Sequence, residues 1–234
     1  MKAIWLLPAL LCYALSAAGF LLDRVETKAR WSPSATLLLA IGAALQTIDL
    51  LAGGLQTGNI PVTNLAQSLA FLAWLTALAG LALIVRLQIA VIGAFVAPLV
   101  FVALGVACAM MKQGRMAVPE SLRSAWLPIH VTLAFLGDAL FVLAAAVSVV
   151  YLVYERRLKA KRPLTPSDDR APSLEKLDRV NYRLLVWGFL MLSLAIVTGA
   201  IWADATWGHF WSWEPQESWS LVIWISTPPC SNRA

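Results

Sequence analysis

The sequence predicts an all-α, polytopic membrane protein, and three observations carry that prediction. Hydrophobic residues make up 60% of the 234 and charged residues only 13%, where a soluble domain is about half apolar and about a quarter charged. Uncharged apolar runs recur at the length of a membrane-crossing helix, about 20 residues. No stretch alternates apolar and polar residues as the strands of a membrane barrel do.

Six segments meet the length criterion: Ile4–Leu22, Ser34–Leu55, Gln67–Arg86, Ile89–Met110, Leu127–Val153 and Leu184–Ala203. The first follows Lys2 and resembles a signal peptide, but its run exceeds the roughly 7–15 residues of such an apolar region. It is read as a retained helix. A seventh segment begins near Trp219 and gives way to STPPCSNRA at Ser226. Its apolar stretch is too short to complete a span.

Orientation follows from lysine and arginine, which accumulate in cytoplasmic loops. The loop 155–183 holds the run ERRLKAKR, Asp23–Trp31 holds Arg24, Lys28 and Arg30, and Arg86 marks the next turn. All three share one side if the N-terminus is external. Lys112, Arg115 and Arg123 in Lys112–Ala125 run against that assignment. Pro163–Ser173 reads as a solvated linker, and SLEKLDRVNYR after it as a short interfacial lead-in helix capped by Ser173. With the N-terminus outside, both histidines, His130 and His209, lie at the external face. The net charge of +5 sits largely in short loops, which points to topology signals and not to a nucleic-acid surface. Cys12, Cys108 and Cys230 form no CxxC pair, so the chain has neither a disulfide framework nor a haem-attachment CxxCH.

The densest chemistry lies in WGHFWSWEPQESWS, Trp207–Ser220. Trp207 and Trp211, four apart, would share a face in a helical turn, and Trp213 and Trp219 extend the aromatic surface. Gly208 would let backbone approach a ligand. Pro215 suits the first turn of a helix, which sets Glu214 and Glu217 where a helix N-terminus favours negative charge. An aromatic belt at the membrane interface is one reading of such a cluster. The other is a shelf for a flat, metal-bearing macrocycle: haem stacks on indole rings and takes histidine as an axial ligand. His130, in AWLPIHVTLAF at the outer end of the fifth segment, is the first candidate ligand and His209 the second. Nothing pairs a nucleophile with a base, so no catalytic residue is assigned.

The pattern W-G-x-x-W-x-W-acidic-P-x-E-x-W resembles the tryptophan-rich signature of the haem-handling proteins of cytochrome c assembly. PVTNLAQSLAFLAW, WLPIHVTLAFLG, LDRVNYRLLVWGF and TGAIWADATWG are similar to the CcsA (ResC-like) branch, from about Gln46 to Ile225. The resemblance implies an assembly domain over 1–225, with a cytoplasmic loop at 155–183 and an external haem loop at 204–218. It implies that haem b is held by His130 and by the loop residues Trp207, Gly208, Trp211, Trp213, Glu214, Pro215, Glu217 and Trp219. The haem would be offered for attachment to apocytochrome c. The protein would then be one component of a cytochrome c synthase complex in a bacterial cytoplasmic membrane, beside a CcsB-like partner. Delivery to a haem chaperone, as by CcmC-type relatives, and a haem-free membrane scaffold or transporter are the alternatives.

The chain departs from that pattern in several places. WEPQE stands for the usual WDPKE, and Gln46 stands near a position where relatives often carry histidine. Asp49 and Asp138 are intramembrane carboxylates, which are expensive and normally paired or functional. Asp138 lies roughly 12 Å along the helix from His130, so it either lines a wet haem path or is neutral by protonation. Relatives continue through further histidine-bearing helices, so 226–234 is read as an aberrant polar tail of a truncated chain.

Overall fold

The computed structural model describes residues 5–25, 31–57, 62, 64–111, 126–160 and 172–227. Among the described residues there is no strand, and seven α-helices follow in order: α1 Leu6–Val25, α2 Ser32–Thr57, α3 Leu65–Leu87, α4 Gly93–Met110, α5 Trp126–Lys159, α6 Leu174–Trp207 and α7 Pro215–Ser226. A 3-10 turn at Ala90–Ile92 leads into α4. The six segments running from α1 to α6 are long and apolar enough to cross a membrane; α7, with 12 residues, is shorter. The chain is therefore a multi-pass helical membrane protein, as its composition predicts.

Local chemistry sets several boundaries. The Asn64 side chain accepts the N–H of Gln67 at the start of α3, and Ser173 accepts that of Lys176 at the start of α6. Each satisfies a donor left open by helix geometry. Asp23, in the last turn of α1, does the same for the next helix: its Oδ1 accepts the N–H groups of Trp31 and Ser32 at 3.0 and 3.2 Å. That carboxylate, 5% exposed, also meets the Arg24 guanidinium at 3.0 Å.

The lead-in helix expected before α6 is not a separate element. Residues 174–183 continue without a break into the span, giving a helix of 34 residues. The α5 helix is equally long. At 1.5 Å per residue each measures about 51 Å, well beyond the roughly 30 Å of hydrocarbon, so the α5–α6 hairpin projects past the bilayer. The projecting end is the basic one, with Arg156, Arg157 and Lys159 closing α5. Glu155–Lys159 and Glu175–Arg179 pair along their helices at 2.8 and 2.6 Å. Lys176 donates from Nζ to the Leu87 carbonyl at 2.5 Å, tying the start of α6 to the end of α3. The helical parts of 155–183 thus leave only 160–173 between them, and the linker expected over Pro163–Ser173 falls almost wholly outside the described residues. So do all of Lys112–Ala125 and the tail from 228.

Helices α1 to α4 form one body. α1 lies along α2 and α4, and α3 along α4 and α2; the α5–α6 hairpin attaches mainly through α5 against α3. Tyr13, Phe20, Leu39, Val96, Val100 and Leu104 are among its fully buried side chains. A polar bridge crosses this core: Tyr13 donates from its hydroxyl to Gln46 Oε1, and Gln46 Nε2 donates to the Ala70 carbonyl, both at 2.8 Å. Gln46 is completely buried, and both ends of its amide are satisfied, as burial requires. Outward apolar side chains such as Leu11, Leu37, Leu51 and Trp187 remain exposed, as a lipid-facing surface requires.

Candidate functional site

The α5 and α6 helices make the most extensive helix contact in the molecule, and that register brings His130 onto α6. His130 stands one turn into α5. Its Nδ1 lies 2.8 Å from the backbone oxygen of Ala195. A carbonyl can only accept, so Nδ1 carries the proton and Nε2 keeps its lone pair. Nε2 has no hydrogen bond among the described residues.

The imidazole lies so close to α6 because position 199 is glycine. A Cβ built there would fall 2.7 Å from His130 Cε1 and 2.8 Å from Nδ1, inside any real contact distance. The other face of the cradle is Trp202, whose indole is nearly parallel to the imidazole, 7° between planes and 6.4 Å between centroids. Trp202 in turn takes Trp207 edge-on at 4.8 Å, and Trp207 stacks with His209 at 6.2 Å. The two histidines thus sit at opposite ends of one aromatic row, His130–Trp202–Trp207–His209. His130 is half-buried and His209 is exposed.

The expectation of a helical face shared by Trp207 and Trp211 is overturned. Trp207 is the last residue of α6, and Gly208 leaves the helix in the left-handed region with φ 76° while its N–H bonds to the Asp204 carbonyl. Glycine is favoured there for its backbone freedom. Close approach is not the reason, because no heavy atom lies within 4 Å of a Cβ built at Gly208. Trp211 instead pairs edge-on with Trp213 at 5.8 Å. The expected single shelf is therefore two aromatic groups, one around Trp202 and Trp207 and one of Trp211 with Trp213. Trp219, 66% exposed, joins neither through a ring contact among the described residues.

Beyond Trp213 the loop is organised by Glu217. Glu214 takes the N-cap position of α7, without a side-chain cap bond, and Pro215 the first helical position. Glu217, three residues past the cap, reaches back: its Oε2 accepts the Ser212 N–H at 2.8 Å and the Ser212 hydroxyl at 3.1 Å. The N3 position is that of a capping-box acid, but these bonds fall on Ser212, two residues before the cap. Partial desolvation works against the charge, but the bonds from Ser212 and the backbone of Glu214 and Trp213 prevail and hold the carboxyl below the usual glutamate range. Trp213 adopts φ 59°, an uncommon conformation for a bulky side chain. Farther along, Trp224 donates from Nε1 to Ser193 Oγ at 2.9 Å and stacks on Phe189 at 5.5 Å, laying α7 back along α6.

Trp202, Gly199 and the Ala195 carbonyl are absent from the residues the sequence singled out. A signal existed for one of them: Trp202 stands five before Trp207 in the segment TGAIWADATWG. Nothing in the sequence pairs any of them with His130, because that pairing depends on the α5–α6 register. The two intramembrane carboxylates remain apart from this group. Neither Asp49 nor Asp138 makes a hydrogen bond or ion pair among the described residues. No three histidine, cysteine or acidic side chains gather into a metal cluster among those residues.

The comparisons agree with the resemblance read from the motifs. The family described as Cytochrome C assembly protein matches residues 62–227. The "Cytochrome c biogenesis protein CcsA" of Synechococcus sp. (strain CC9605) is 32% identical over 257 aligned residues, covering 93% of this chain and 82% of the relative. That of Synechococcus sp. (strain CC9902) is 32% identical, covering 81% of this chain and 70% of the relative. That of Prochlorococcus marinus (strain MIT 9313) is 30% identical, covering 81% and 68%.

Proposed function

Since this chain belongs to the Cytochrome C assembly protein family, we propose that it binds haem b through His130 and presents it on the 204–218 loop for attachment to apocytochrome c. A part in cytochrome c biogenesis follows from the family; the haem site and its use are the finer reading. The observation that carries this reading is the Nδ1–H bond of His130 to Ala195 at 2.8 Å. A histidine ligand to a metal almost always donates its other ring nitrogen in this way, which fixes the tautomer and the ring plane.

The donor set fits haem better than a bare metal ion. A bare ion needs several protein ligands, and the described residues offer no cluster of three. The porphyrin brings its own four equatorial nitrogens, so one well-held imidazole suffices. Bound haem supplies a planar macrocycle, an iron that accepts axial bases, and vinyl groups that can form thioethers. The protein's share is orientation. His130 offers Nε2, Trp202 holds the imidazole plane, and Trp207, Trp211 and Trp213 offer apolar ring surface. Gly208, Glu214, Pro215 and Glu217 shape the loop that carries those rings. Alignment of two reactants in this way lowers a barrier without any acid or base from the protein.

In this reading the loop faces the external side of a bacterial cytoplasmic membrane, and the chain works with a CcsB-like partner as a synthase component. The test is haem content of protein purified from haem-replete membranes. His130→Ala is expected to lower haem per protein about tenfold or more, and added imidazole to restore it. His209→Ala is expected to change it little. Full haem retention in His130→Ala would overturn the ligand assignment and favour the interfacial belt.

A further inference from the structure

Asp138 stands near the middle of the bilayer-spanning part of α5. It is twelve residues from Trp126 and eighteen from Arg156, about 18 Å and about 27 Å along the helix axis. Its side chain is exposed, on a stripe that continues at helical spacing through Ala145, Val149 and Leu152. This face is turned away from the core, which α5 meets through Leu143, Val147 and Val150. It carries no hydrogen bond or ion pair among the described residues. A lone carboxylate in hydrocarbon is costly. A residue kept at such a cost normally has a partner.

Among the described residues no cation stands at that depth. The described cations of the spans lie at helix ends: Arg24 closes α1, Arg86 closes α3, and Arg156, Arg157 and Lys159 close α5. On α6, Arg183 comes closest. The Asn181–Ser148 bond of 3.0 Å and the contact of Phe141 with Gly188 fix the register. They put Arg183 about eight residues, or about 12 Å, nearer the basic end than Asp138. A second copy in parallel has its cations at the same wrong depth.

We propose that the Asp138–Ala145–Val149–Leu152 face of α5 seats a transmembrane helix of a different polypeptide, one that presents a Lys or Arg side chain at mid-bilayer. Asp138 supplies the charge complement, and the apolar stripe toward the basic end supplies the packing surface. The assignment is independent of the haem reading, since it uses neither histidine nor the tryptophan loop.

The test places a photoreactive benzoylphenylalanine at position 145 of the full chain in membranes of its native host. The expected adduct is one polypeptide, cross-linked within a transmembrane segment that contains Lys or Arg about two turns from the attachment point. Asp138→Lys is expected to cut the adduct about tenfold or more, as loss of a desolvated charge pair does. Changing the partner's basic residue to Asp should restore it. Should Asp138→Lys fail to accumulate, Asp138→Asn serves in its place, with reduced adduct expected. Adducts to lipid alone, to a second copy of this chain, or to a helix without a basic residue would overturn the proposal. Undiminished adduct in Asp138→Asn, or a charge exchange that restores nothing, would do the same.

Discussion

The imidazole of His130 and the backbone oxygen of Ala195, 65 positions apart in sequence, meet at 2.8 Å. One bond thereby decides which ring nitrogen is protonated and which is free. Because the acceptor is backbone, no side-chain substitution at 195 removes it directly; the ring must be moved instead.

Gly199→Ala does that. A methyl group at 199 would sit 2.7 Å from the ring, so His130 has to rotate off the Ala195 carbonyl. In a helix interior alanine is intrinsically better than glycine by up to about 1 kcal/mol, which opposes an overpacking cost of about 1–3 kcal/mol. The net change in melting temperature is expected to be small. Haem retention, read from the Soret band per protein, is expected to fall as far as in His130→Ala. Equal haem content in Gly199→Ala and wild type would remove the cradle from the account.

Gln46 gives the contrasting case, a polar group whose role is stability. Gln46→Leu strands the Tyr13 hydroxyl in the core at about 1–3 kcal/mol and removes the added bond to the Ala70 carbonyl, which keeps the backbone N–H of its own helix. Tyr13→Phe also leaves one buried group unpaired, Gln46 Oε1, but keeps the Gln46–Ala70 bond, so it is expected to cost less. Thermal unfolding in mild detergent checks the order. A Gln46→Leu protein as stable as wild type would show that the bridge contributes nothing net.

At Glu217 the expectation concerns pH. Its carboxyl titrates below the usual glutamate value of 4.5, so its stabilisation of the loop is fully present above that value and is lost as pH falls through the lower folded one. Limited proteolysis between Trp207 and Pro215 should therefore be constant near neutrality and accelerate on acidification. Glu217→Gln should cleave faster at neutral pH and show a flatter profile. A mutant profile that matches wild type would place the clasp elsewhere.

Trp213 holds φ 59°, a region that costs a non-glycine residue roughly 1–2 kcal/mol. Trp213→Gly relieves that strain and deletes an indole that is 71% exposed. Unchanged or higher thermal stability with lower haem retention is the expected pair of results, a trade typical of strained binding loops. Loss of stability in Trp213→Gly would mean that the indole packs more than its exposure implies.

Composition and run length alone determined that this chain is a bundle of membrane-crossing helices, because a long uncharged apolar run has one low-energy way to satisfy its backbone in lipid. Local chemistry was also legible: Ser173 caps α6, and Pro215 opens α7 with Glu214 and Glu217 at its first turn. The motif around Trp207 led to the family the comparisons support. Helix continuity was not legible. Residues 174–183 are polar enough to read as a separate surface helix, yet no glycine or proline breaks them from the span, so the backbone bonds run on. The tryptophan cluster misled in a related way. Spacing of four implies a shared face only while the helix lasts, and it ends at Gly208. The aromatic row from His130 to His209 was decided by tertiary structure alone. It depends on the rotation and register of α5 against α6, which are set by side-chain volumes along the whole contact, including the missing Cβ at Gly199. Packing of that kind couples residues far apart in the chain, and no local pattern records which imidazole will meet which carbonyl.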